Sequence, residues 1–108
     1  MTKKDFLVAT TNEIPGKKFK ILGVARGSTV RSRNVARDIG AGFRNLVGGE
    51  IKTYTEMANQ ARDEAYNRMV NSAIDMGANA IVGMRFSTSM IMQGASEMVA
   101  FGTAVLVK

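Results

Sequence analysis

The chain has 108 residues, 45% hydrophobic and 22% charged, with 15 Lys and Arg against 9 Asp and Glu for a formal net charge of +6. That length is one domain, 1–108, of soluble globular composition. It contains no cysteine and no histidine, which excludes disulfides, thiolate and imidazole chemistry, nearly all zinc or copper sites, and most hydrolase mechanisms.

The chain opens MTKKDFLVATTNE. Its FLVA run is too short for a signal-peptide core, and no stretch approaches membrane-spanning length. The reading is cytoplasmic, with no membrane partner. A short strand is predicted around Phe6–Ala9, then a loop, TTNEIPGK, whose Pro15 and Gly16 mark a turn. KFKILGVARGSTVRS reads as a strand in which period two places Gly23 and Gly27 on one face with Phe19, Ile21 and Ala25. That narrowing face invites a second backbone, from a helix or an assembly contact.

A short helix follows through RDIGAGFRNLVGG, capped by Ser32 or Asn34. Val35, Ala36, Ile39, Phe43, Leu46 and Val47 share an arc of about 120°, and Gly40 and Gly42 fall just outside its opposite edges. Each interior glycine costs about 1 kcal/mol against alanine. Two glycine edges predict a helix wedged between two surfaces, at least one of them a neighbouring subunit. Gly48 and Gly49 end it, since glycine accepts the left-handed C-terminal conformation. Gly40, Gly42, Phe43, Gly48 and Gly49 are therefore the candidate close-contact residues.

Thr53-Tyr54-Thr55-Glu56 has the form of a capping box and predicts a long helix from Thr53 to Gly77. Its buried stripe is Tyr54, Met57, Ala58, Ala61, Ala65, Met69, Ala73 and Met76, alanine-rich enough to lie close against a sheet. Glu64 and Arg68 have the favourable i, i+4 spacing on the wet face. NAIVGMRFSTSMIM and SEMVAFGTAVLVK form a hairpin turning at Gln93-Gly94. Alternation puts Ala80, Val82, Met84, Phe86, Met90 and Met92 on one face of its first strand. The second strand is apolar on both faces, with Met98, Ala100, Ala104 and Leu106 opposite Val99, Phe101, Val105 and Val107. Both faces need cover, and a neighbouring subunit is the expected second one.

Few motifs point to chemistry. GAGFRN carries Asn45 where a dinucleotide fingerprint needs its third small residue, and its glycines lie inside the helix rather than before it. Arg37 and Arg44, seven residues apart with Ala41 between, project from one side and form a candidate anion site. An ordinary charged face, paired with acids such as Asp38 and Glu50, is the simpler account. Eight methionines suggest soft-metal binding, but without cysteine or histidine they read as packing, so metal ligands and cofactors stay unassigned. The basic excess lies mostly in the first 44 residues with few interleaved aromatics, which weighs against nucleic acid. No base is specified beyond carboxylates and lysines, so the reading is not an enzyme; the alternatives are a nucleic-acid-associated protein working through its basic N-terminal half and, third, an enzyme using intersubunit carboxylates.

Taken in order, VARGSTV, RDIGAGFRNLVGGE, YTEMANQARDEA, MGANAIVGMRF and FGTAVLV resemble the YbjQ-like family of "putative heavy-metal-binding" domains, whose biochemical role is not established. The resemblance implies an α+β, dodecin-like small domain assembled as a ring, a homopentamer. With the elements above, the expected fold is a mostly antiparallel sheet with one short glycine-rich helix and one long helix. The expected function is a noncatalytic, homo-oligomeric, cytoplasmic domain holding a small anion or metal ion at subunit contacts.

Overall fold

The computed structural model describes residues 6–32, 49–92 and 95–108. They form strands β1 (Leu7–Val8), β2 (Phe19–Ser32), β3 (Ala80–Met92) and β4 (Ala95–Val107), and one helix, α1 (Gly49–Asp75). The sheet order is β1-β3-β4-β2. β4 pairs antiparallel with both β3 and β2, and β1 pairs parallel with β3. The architecture is α+β with a mixed sheet. The glycine-rich helix expected around Gly40 lies outside the described residues.

Between β1 and β2, Lys17 N donates to Ile14 O at 3.0 Å across Pro15-Gly16, with Gly16 at φ 75°. Proline at the first corner and positive-φ glycine at the second are what a type II turn demands. Ala9 N donates to Ile81 O at 2.9 Å, and Gly83 and Met84 donate to Thr11 O and Ala9 O. β1 and its following loop therefore line the outer edge of β3 as far as Met84.

α1 runs antiparallel to β2. Thr29 lies against Ala61, Gly27 against Ala65 and Met69, and Gly23 against Met76. A side chain on Gly27 would meet the Met69 amide nitrogen and the Ala65 carbonyl oxygen, so the helix backbone fills the space that the glycine leaves. The close approach anticipated on this face comes from the helix. Ala61, Ala65, Met69 and Ala73 are buried as expected, and Val70 joins them. Met76, expected inside, is 40% exposed, one residue beyond the end of α1. Gly77 at φ 88° donates to Ile74 O, and Ala78 donates to Ala73 O, closing the helix with a Schellman motif.

The helix begins at Gly49, four residues before Thr53. Thr53 is thus inside the first turns and cannot be the N-cap, and Gly49 opens a helix where it was expected to close one. Ser32, one expected cap of the glycine-rich helix, is the last residue of β2, opposite Ala95, and the helix it would cap lies outside the described residues.

Three irregularities break the strict alternation read from the sequence. The β2–β4 register shifts between Ile21 and Gly23, and the β3–β4 register shifts between Val82 and Arg85 and again between Met90 and Met92. An extra residue reverses which parity faces the helix. Ile21 accordingly lies on the face away from Ala25, and Met84 packs with Ile81 rather than with Val82. The main core joins Ala25, Met69, Ala73, Ile81, Ala100 and Ala104 between sheet and helix. Ala80, Val82 and Val105 form a small cluster on the opposite face, covered by Ile14 and Phe19. At this end the second apolar face finds its cover within the chain.

Candidate functional site

α1 covers β2 and β4 and touches β3 far less. Beyond Met84 the outer strand therefore emerges from under both the helix and the β1 loop. Phe86, Met90, Ile91 and Met92 are exposed there, Met90 at 75%, and Val30 is exposed at the same end of β2. The described residues extend 55 × 26 × 21 Å with a radius of gyration of 16.9 Å. About 13 Å is usual for a compact chain of this length. The far half of the sheet is thus an arm with apolar side chains on it. Burying each of them against a partner is worth about 2 kcal/mol.

On the face away from α1, the register sets Arg26, Phe101 and Arg85 in one row across β2, β4 and β3. All three are exposed, Phe101 at 36%. Arg85 Nη1 donates to Thr10 O at 2.9 Å and to Met84 O at 2.8 Å, which holds its guanidinium in place. Directly opposed side chains on neighbouring strands stand about 5 Å apart at Cβ, close enough for arginines to flank the ring. The aromatics remain few among the basic residues of the first 44, but the register adds this one row across the sheet. Arg26, Arg85 and Phe101 are distant in sequence, and only the strand register brings them together.

The sequence candidates fare differently. Arg37, Arg44, Gly40, Gly42, Phe43 and Gly48 lie outside the described residues, and Gly49 starts α1. Of the methionines, Met69 and Met84 are buried in the core, while Met90 and Met92 stand on the arm. Glu64 and Arg68 approach to 3.9 Å, both well exposed. Such a pair contributes little to stability.

A family model for "Putative heavy-metal-binding" proteins, YbjQ, matches residues 6–108. The chain belongs to the YbjQ-like family. Among its relatives, a UPF0145 protein of Shewanella frigidimarina is 55% identical, covering 92% of this chain and 94% of that one. Those of Methanoculleus marisnigri and Clostridioides difficile are 54% and 52% identical, covering 92% and 94% of this chain and 94% and 92% of theirs. A crystal structure of a DUF74-family protein of unknown function from Pediococcus pentosaceus has a TM-score of 0.67 at 17% identity, covering 95% of this chain and 98% of that one. This likeness extends to the fold.

The YbjQ-like description names a heavy metal, and the described side chains do not gather a site for one. Among the described residues no three acids gather where they could hold an ion, and the chain has neither cysteine nor histidine. The thioethers that remain are split between a packed core and an open arm.

Proposed function

We propose that this YbjQ-like protein is a noncatalytic, cytoplasmic homo-oligomeric module, a ring of five chains, with a small anion or metal ion held at subunit contacts. The observation that carries the reading is the uncovered arm, where Phe86, Met90, Ile91 and Met92 stand exposed on a strand that the chain's own helix leaves bare. A row of large apolar side chains rimmed by polar ones marks an interaction surface. The family resemblance supplies the number five. Arg37 and Arg44 are the anion candidates, and a metal at such a contact would need oxygen ligands from two copies.

Native mass spectrometry of protein purified without added metal tests the module and its ligand together, because it weighs the assembly with whatever it retains. The expected result is an oligomer with no stoichiometric zinc or copper(II). Calorimetric zinc binding below micromolar would overturn the expectation that zinc and copper(II), without nitrogen or thiolate ligands, bind weakly or not at all.

The Arg26–Phe101–Arg85 row favours a second reading, a single-stranded nucleic acid stacking a base on Phe101 with phosphates on the arginines. If it holds, affinity for a mixed oligonucleotide falls steeply between low and physiological salt, and Phe101→Leu weakens it. Absence of binding at low salt removes this reading.

A further inference from the structure

β2 and β3 are both antiparallel to β4, so they run in the same direction on opposite sides of it. Among the described residues each has a stretch of outer edge with no strand beside it. The outer edge of β3 is paired up to Met84 by β1 and its loop; from Phe86 to Met92 no described residue bonds its backbone. That stretch, FSTSMIM, has no charge and no proline, two of the devices by which natural edge strands discourage pairing, and its one irregularity, between Met90 and Met92, lies at its far end. β2 has an open edge on the other side, and among the described residues the one bond that a side chain makes to it is from Arg68 Nη1 to Ser28 O at 2.5 Å. The two edges lie at the same level of the sheet, because Ser87 faces Val99, which faces Ser28, and Ser89 faces Glu97, which faces Val30.

We infer that copies of this chain join edge to edge, the β3 edge from Phe86 to Met92 pairing in parallel with the β2 edge of the next copy. Ser87 and Ser89 then stand beside Ser28 and Val30 of the partner subunit. This rests on the oligomeric reading above and supplies its contact. A rotation about an axis along the strands preserves strand direction, so each copy offers β3 to one neighbour and β2 to the other, a head-to-tail contact that forms a ring when the rotation per copy closes. Pairing β3 with β3 about a twofold axis would leave both β2 edges bare, whereas this arrangement uses every edge. The β3 segment itself is uncharged, and the same register sets Arg85, just before it, level with Arg26 of the partner subunit, two cations on one face that the contact leaves in solvent. Arg68 gives up Ser28 O or shares it.

The chain has no cysteine, so introduced ones report without background. Ser89→Cys combined with Ser28→Cys, and Ser89→Cys combined with Val30→Cys, place thiols on opposite edges at exposed positions of a single copy. Mild oxidation should convert at least one of these double variants into a ladder of covalent multimers ending at the closed ring, while each single variant stays uncrosslinked. A covalent dimer from Ser89→Cys alone would mean twofold pairing of β3 and overturn the inference. So would the absence of a ladder from both double variants when sedimentation shows an intact oligomer. Hydrogen exchange on the unmodified oligomer gives a second readout: alternate amides from Phe86 to Met92 should exchange at least tenfold more slowly than in dilute monomer. A chain that sediments as a monomer at all concentrations fails the oligomeric reading itself, a different result from an oligomer whose β3 edge exchanges freely.

Discussion

At Gly27 the helix and sheet are so close that a methyl group has nowhere to go. Its Cβ would strike the Met69 nitrogen and the Ala65 oxygen, backbone atoms that move only if α1 moves. Gly27→Ala should therefore destabilise the fold by about 3 kcal/mol, the upper range for overpacking. Thermal unfolding checks it, with a fall of more than 10 °C expected, since each kcal/mol lowers Tm by about 4–8 °C in a domain of this size. Thr29, one repeat along the same face, makes the contrast. Its buried hydroxyl donates to Ala61 O at 3.3 Å, a long bond to a carbonyl that α1 can also occupy. Thr29→Val should cost less than about 1 kcal/mol, because no buried partner is stranded. Asn79 has more at stake. Its Nδ2 donates to Val107 O at 3.1 Å and its Oδ1 accepts from Val107 N at 2.7 Å, so the side chain extends the sheet past the end of β3. Asn79→Ala removes both bonds and should cost about 2 kcal/mol, with faster amide exchange confined to the end of β4.

At the scale of elements, local signals were legible wherever they depended on chain-adjacent residues. Pro15-Gly16 gave the turn, Gly77 the helix end, and the alanine spacing the buried face of α1. Alternation gave the strands but misassigned faces wherever a bulge intervened, since one extra residue at Leu22 or near Gly83 reverses every later position and leaves no mark in composition. The start of α1 was misplaced for a different reason: Thr53-Tyr-Thr-Glu56 can cap a helix, yet nothing stops the residues before it from being helical too. The Arg26–Phe101–Arg85 row was invisible because it requires the register of three strands. The glycine-rich segment keeps a prediction of its own, drawn from its sequence. If Gly40 and Gly42 let a subunit approach, Gly40→Leu and Gly42→Leu should dissociate the oligomer in sedimentation, with Gly→Ala much milder. More heat-resistant, intact oligomers for both leucine variants would show that leucine's helix propensity, worth about 1 kcal/mol, is all that changes.

For the molecule as a whole, elongation and exposed apolar surface have one cause. Among the described residues a sheet about thirteen residues long is covered by one helix that favours two of its strands, and its inner end has a second cover, supplied by Ile14 and Phe19. A domain this small buries a limited share of its surface alone, and assembly is the usual way to bury more. The central claim is that the bare arm is completed by other copies of the same chain. Sedimentation velocity from nanomolar to tens of micromolar protein, confirmed by native mass, tests it most directly. A single concentration-stable species of five 11.7 kDa chains is expected across the micromolar range. A lone 11.7 kDa species throughout, with Phe86, Met90 and Met92 still exposed to solvent, would contradict it.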